Sequence, residues 1–290
     1  MPALGNALGL PFQRRGVSFV GPLDTLSTGL VGAWSVARRL LASYTGPWLR
    51  VRRSSDNAEQ DCTTVAGILS FCGAGNGFVV TVYDQTGNGR DLTQGTAVNQ
   101  AQIVTSGALT ADLNGLAVMR NHNGSCGYLA TIGARTPTAA SYAFVGVPCA
   151  AGGYNGQVGN PSASFAPNGA ILLYNPSHTT LQDYLDFGTR GNALTITAGA
   201  ALAAGVEAGP SNVTHYKSGV ANTPAAYTPT FNYSEFGLWT AGGTINGTGT
   251  INATAAEMIL LRTEVMVPVC ATSTSSAVGV PSAGQALRGG

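Results

Sequence analysis

The chain has 290 residues, of which only 9% are charged and 44% hydrophobic, so its solubility rests on Gly, Ser, Thr, Asn and Gln. Those residues populate turns and solvated strand faces, which favours β over α structure and fits one β core with peripheral arms. A formal net charge of +1 supplies no field that would gather nucleic acid. No stretch reaches the roughly 20 apolar residues of a membrane-spanning helix, so membrane insertion is not expected either.

Residues 1–25 are rich in Gly and Pro without a period and read as an extended N-terminal arm. They lack the basic region and apolar run of a secretory signal. From Val31 onward, Trp34, Ala37, Leu41 and Tyr44 fall at spacings of three, four and three, which predicts a short helix ended by Gly46-Pro47. Leu49 and Val51 then alternate with Arg50 and Arg52, a period of two that predicts a strand with one apolar and one cationic face. Arg38, Arg39, Arg50, Arg52 and Arg53 lie near Asp56, Glu59 and Asp61, and internal salt links are expected there rather than a grip on a polyanion.

Phe78–Tyr83 is a dense β-branched and aromatic run, expected as a buried strand that stops at the turn Asp84-Gln85-Thr86-Gly87-Asn88-Gly89. Further strands are expected at 115–119, 142–147, 170–174, 213–216, 236–239 and 257–261, with Gly/Asn/Ser/Thr-rich connections. Residues 268–290 bury little and suit a tail. The expected organisation is therefore an arm at 1–25, a sandwich at 26–267 and a tail at 268–290.

The five cysteines, Cys62, Cys72, Cys126, Cys149 and Cys270, form no C-x-x-C pair and read as buried free thiols, with a Cys62–Cys72 bridge left open. His122, His178 and His215 are scattered. No metal site of zinc spacing and no cofactor is expected; His122 with Cys126 is the nearest approach to a ligand pair. Asp84, Asn88 and Asp91 are expected to stabilise their turn, or alternatively to offer oxygen ligands to calcium. Trp34, Trp48 and Trp239 are expected in packing, with Trp239, between a strand and a Gly-rich loop, the candidate platform for stacking a sugar ring.

The run Ala33-Trp34-Ser35, Arg38-Arg39-Leu40, Tyr44-Thr45-Gly46-Pro47 and Arg50 to Asn57, continued by Val82-Tyr83-Asp84-Gln85-Thr86-Gly87-Asn88-Gly89-Arg90-Asp91-Leu92-Thr93-Gln94, resembles the catalytic domain of α-L-arabinofuranosidase B. The likeness spans about residues 31–120. The remainder is loosely similar to laminin-G or concanavalin-like domains through Tyr216-Lys217-Ser218-Gly219-Val220. The resemblance implies an all-β fold, a two-sheet jelly-roll sandwich. It also implies a retaining glycosidase, which needs two carboxyl groups roughly 5 to 5.5 Å apart. The family's acid sits late, in a Gly-x-Asp-Asn-Ser-like loop ahead of a Tyr-Glu-Gly element. This chain has Gly242-Gly243-Thr244-Ile245-Asn246 there and then Ala255-Ala256-Glu257, with threonine in the aspartate's place. Beyond Asp112 the carboxylates are Asp183, Asp186, Glu207, Glu235, Glu257 and Glu264, and none matches the family's nucleophile segment.

No catalytic residue is therefore assigned from sequence. Arms of low complexity around a sandwich without a secretion signal lead to the expectation of a non-enzymatic bacteriophage virion surface protein, a tail-fibre, receptor-binding or capsid-decorating module. Its arm would dock on other virion proteins, its lectin-like domain would meet a cell-surface glycan, and it would form a homo-oligomer such as a trimer. The alternatives are an extracellular glycoside hydrolase of arabinofuranosidase type and a carbohydrate-binding module.

Overall fold

The computed structural model describes residues 19–26, 30–110, 112–113, 116–120, 127–135, 140–148, 155–159, 170–174, 180–185, 188–189, 194–195, 202–208, 211–217, 220–226, 233–239 and 253–261. The longer strands are β1 (Leu30–Ser35), β2 (Leu49–Arg53), β3 (Glu59–Cys62), β4 (Gly77–Val82), β5 (Gln102–Thr105), β6 (Gly127–Arg135), β7 (Ala140–Pro148), β8 (Asn155–Gly159), β9 (Ala170–Tyr174), β10 (Thr180–Leu185), β11 (Leu202–Ala208), β12 (Asn212–Lys217), β13 (Tyr233–Trp239) and β14 (Ala253–Leu261). One α-helix, α1 (Val65–Cys72), is present among the described residues.

Antiparallel pairing links these strands into two runs. One follows β12–β11–β7–β14–β1, with Met119–Arg120 continuing beside β14 beyond the end of β1. The other follows β3–β2–β4, then the short strand Leu92–Thr93, then β6–β13–β8–β9–β10. Strand β5 lies beside β4 and meets Arg120 through Gln102, so it stitches the two runs together. The protein is an all-β sandwich, with one α-helix among the described residues.

The core explains the two runs. Leu49, Val51, Val79, Val82, Ile103 and Val104 are fully buried, as are Trp34, Met119 and Tyr128. The buried phenol of Tyr128 donates to the Val79 carbonyl at 2.8 Å and accepts from the Ala101 amide at 2.7 Å, so its polar tip is satisfied inside the core.

The helix expected from Trp34, Ala37, Leu41 and Tyr44 is not there. Residues 30–35 form β1, and every residue from Val31 to Ala37 is buried. A strand covered on both faces reads as a nearly continuous apolar run, and such a run mimics a helical spacing. The Ser35 hydroxyl accepts from the amides of Ala37 and Arg38, both at 3.1 Å, and bends the chain out of the strand. The helix lies instead at Val65–Cys72. Thr64 caps it by accepting from Gly67 N at 2.9 Å, and Gly73, at φ 56°, closes it with its amide on Leu69 O.

Residues 21–24 pack against the segment that follows β1. Leu23 is fully buried, its amide donates to Leu40 O at 3.0 Å, and Asp24 accepts from Gly21 N and Ala42 N at 2.6 and 2.8 Å. A Cβ on Gly21 would meet Leu40 O at 2.4 Å, so only glycine allows this close approach. The expectations for residues 1–18 and 268–290 lie outside the described residues.

Candidate functional site

The turn after β4 is built from its carboxylate outward. Asp84, 3% exposed, accepts through Oδ1 from the amides of Ala33 (3.1 Å) and Thr86 (3.0 Å), and through Oδ2 from Arg90 N (3.2 Å), while the Thr86 hydroxyl lies 2.8 Å from both oxygens. Gln85 N donates to Ala33 O at 2.8 Å. Asn88 Nδ2 donates to the carbonyls of Leu30 and Val31, both at 3.2 Å, and Arg90 Nη1 also donates to Val31 O. Gly87 and Gly89, at φ 81° and 69°, make the reversal that brings Asn88 and Arg90 back onto β1.

The turn thus covers the edge of β1 that β14 leaves open, and it occupies backbone groups that would otherwise template another strand. Trp34 Nε1 donates to Arg90 O at 2.8 Å, and the Gln85 side chain, which sequence reasoning passed over, accepts from Leu40 N (2.7 Å) and donates to Arg38 O (3.1 Å). Asp84 and Asn88 therefore face strand backbone. Asp91 braces the turn through one oxygen, Oδ1 accepting from Asp84 N at 2.9 Å, and burial together with the Asp84 charge pushes its carboxyl above the ordinary range.

The three arginines of β2 are all partnered within the chain, Arg50 and Arg53 by carboxylates and Arg52 by amides. Arg50 pairs with Glu59 at 2.7 Å and Asp61 at 3.5 Å, Arg53 pairs with Asp56 at 2.6 Å, and Arg52 Nε donates to Gln100 at 2.8 Å. Arg52 and Arg53 lie 4.8 and 4.9 Å from the ring centres of Phe78 and Phe71. The Tyr83 hydroxyl donates to Asp61 at 2.7 Å. Tyr44 donates to Pro47 O at 2.5 Å, and its pKa is pushed up to about 12 by burial and by the charges of Asp91 and Asp84. The period of two was the available signal for Tyr83 and for Trp48, because Trp48 and Arg50, like Thr81 and Tyr83, must share a face.

Cys62 and Cys72 are buried free thiols, and burial pushes Cys62 up to about 11. His122, Cys126, Cys149, His178 and Cys270 lie outside the described residues. His215 is buried in β12. Trp239 ends β13, where its backbone pairs with Gly127.

Strand register places four of the late carboxylates. Glu257 of β14 sits opposite Ser35 on one side and Val145 on the other. Glu207 of β11 pairs with Ser141, so it lies two strands and four residues from Glu257, about 16 Å at typical strand spacings. Asp183 of β10 and Glu235 of β13 are three strands and three residues apart, about 17 Å. Neither same-sheet pair approaches the roughly 5 to 5.5 Å of a retaining glycosidase. A reacting pair needs one partner from the opposing sheet or from a connection. Asp186, Glu264 and the segment Gly242–Asn246 lie outside the described residues.

A family model described as "Alpha-L-arabinofuranosidase B, catalytic" matches residues 24–152, less than half of the chain. The α-L-arabinofuranosidase B of Emericella nidulans is 33% identical over 100 residues, covering 31% of this chain and 20% of that protein. The α-L-arabinofuranosidase of Hypocrea jecorina is 36% identical over 84 residues, covering 26% and 17%. The chain thus spans about a fifth of the length of the curated relatives it matches. Among solved structures, a Glu-to-Gln mutant of a GH54 α-L-arabinofuranosidase soaked with 4-nitrophenyl α-L-arabinofuranoside superimposes with a TM-score of 0.64 at 19% identity, over 84% of this chain and 62% of that one. An arabinofuranosidase complexed with arabinofuranosyl-α-1,2-xylobiose gives 0.62 at 18% identity over the same shares.

These matches overturn the expectation of a non-enzymatic bacteriophage virion protein. That expectation rested on terminal composition, which names no particle, and on Thr244, which lies outside the described residues. The likeness is to a family of glycoside hydrolases. Residues 24–152 of this chain are α-L-arabinofuranosidase B catalytic-domain-like, and the fold around them is shared with GH54 arabinofuranosidases.

Proposed function

We propose that the chain is a glycoside hydrolase of α-L-arabinofuranosidase type. The observation that carries this reading is the match of residues 24–152 to the arabinofuranosidase B catalytic family, which spans the Asp84 turn and the β1 edge it covers. The fold shared with GH54 structures over 84% of the chain supports it. In this reading the sandwich is a jelly roll, and its substrate is an arabinofuranosyl unit met outside the cell. The Asp84, Asn88 and Asp91 turn is structural: it holds β1, the strand that carries Ser35 beside Glu257. Trp239, where β13 runs into a connection, contributes to glycan contact.

The reaction needs two carboxyl groups, one attacking or activating water and one protonating the leaving oxygen. They are drawn from Asp183, Asp186, Glu207, Glu235, Glu257 and Glu264, and register excludes Glu207 with Glu257 and Asp183 with Glu235 as a retaining pair. The test is release of 4-nitrophenol from 4-nitrophenyl α-L-arabinofuranoside by the wild type and by six single Asp→Asn or Glu→Gln variants. Two of the six are expected to lose about 10²-fold or more in kcat. No release at high enzyme concentration, or six variants at wild-type rate, would overturn the reading.

A further inference from the structure

We propose that the outer face of the β3–β2–β4 sheet carries a glycan-binding surface, built not on the six late carboxylates but on Trp48, Tyr83 and Asp91 with Tyr44 beside them. The proposal rests on the reading of the chain as a carbohydrate-active protein and adds a place where a polysaccharide is held.

Register puts these side chains in one row. Leu49 pairs with both Cys62 and Val82, and Val82 pairs with Leu92; all four are buried and point inward. The residue next to each on its strand points the other way. Trp48 lies just before Leu49, Tyr83 just after Val82 and Asp91 just before Leu92, so all three face outward. The backbone confirms the alignment, since Tyr83 N donates to Trp48 O at 2.9 Å and Trp48 N to Cys62 O at 2.8 Å. At typical interstrand spacing the row is about 10 Å long. Trp48, Tyr83, Asp91 and Tyr44 are all partly exposed.

The chemistry of the row suits sugar. Two aromatic rings offer apolar faces to the C–H side of a ring, with Tyr44 close enough for its phenol to sense the charges of Asp91, Asp84 and Asp61. Among the described residues, the Trp48 indole N–H has no hydrogen-bond partner, and Asp91 uses only Oδ1, toward Asp84 N, which leaves Oδ2 to accept. A donor and an acceptor thus flank the Tyr83 ring. Behind them Arg50 is paired with Glu59 and Asp61, and Asp61 also accepts from Tyr83. With Asp91 added, three carboxylates, Glu59, Asp61 and Asp91, stand against two cations, Arg50 and, at the Tyr44 carbonyl, Arg39. The patch therefore selects a neutral glycan over an anionic one.

Affinity electrophoresis tests this, with native gels of the full chain containing soluble neutral arabinoxylan or, for contrast, anionic polygalacturonate. Arabinoxylan is expected to retard the wild type, and Trp48→Ala to weaken that retardation about tenfold in apparent Kd. Trp48→Phe keeps a ring and loses the N–H, so it is expected between the two, and it serves as the test should the alanine variant fail to fold by circular dichroism. A wild type that arabinoxylan does not retard, folded variants retarded as strongly as wild type, or preference for polygalacturonate would overturn the proposal. Retardation is read without turnover, so wild-type protein that binds arabinoxylan yet releases no 4-nitrophenol would refute the hydrolase reading and leave this surface standing.

Discussion

Replacing Asp84 by alanine removes the acceptor for three backbone amides, those of Ala33, Thr86 and Arg90, and for the Thr86 hydroxyl. The Ala33 amide is buried and has no route to water. An orphaned buried donor costs about 1–3 kcal/mol, and bonds to a charged acceptor stand at the upper end of that range. With Ala33 counted near the top and the two partly buried amides near the bottom, the loss comes to about 3–5 kcal/mol. That is a large share of the roughly 5–15 kcal/mol that holds a domain together. At about 2–4 °C per kcal/mol for a chain of this size, the melting temperature should fall by about 6–20 °C. Urea unfolding followed by circular dichroism measures the change directly. Thr86→Ala, which removes only a hydroxyl and leaves the carboxylate on the three amides, should cost about 1 kcal/mol. An Asp84→Ala variant within 1 kcal/mol of wild type would refute the claim that this carboxylate holds β1 in place.

Calcium or EDTA should leave the melting temperature unchanged, because the Asp84 oxygens already accept N–H and O–H donors; a rise with calcium would show that the turn takes a cation. Gly32→Ala places a methyl 2.2 Å from the indole ring of the fully buried Trp34, so a loss of about 1–3 kcal/mol is expected together with a red shift of tryptophan emission. The Arg53 guanidinium, helped by the Ala58 amide, holds the Asp56 carboxyl at about 2, below its ordinary 3.8. A depressed folded value means that the contribution is complete above pH 3.8 and fades as pH falls toward 2, so Asp56→Asn should flatten the stability profile in that window. Cys62 and Cys72, buried and with raised thiol pKa values, should resist alkylation in the native protein at pH 8 and react on unfolding, as peptide mass mapping would show.

Local chemistry determined much of this in advance. The alternation of Leu49 and Val51 with arginines, the dense run before Tyr83 and the glycines at 87 and 89 each carry their own structural instruction, and β2, β4 and the turn lie where those residues put them. The likeness to arabinofuranosidase B was legible in that same stretch, where Asp84, Gln85 and Asn88 each bond strand or loop backbone. What composition could not decide was the role of the molecule, and the virion reading drawn from the arms did not survive the comparisons.

Tertiary structure alone decided the rest. Trp34 reads equally as a helix face or a buried strand until β14 on one edge and the Asp84 turn on the other are seen to enclose β1. Thr64 and Gly73 could have marked the true helix, but eight residues give too short a period to stand out. The row of Trp48, Tyr83 and Asp91 exists only through interstrand register, since residues 48, 83 and 91 are brought side by side by hydrogen bonds between strands that no local pattern specifies. The same register keeps Glu207 from Glu257, and Asp183 from Glu235. Sequence determines which residues alternate, because that depends on neighbours along the chain, while the fold determines which of them meet.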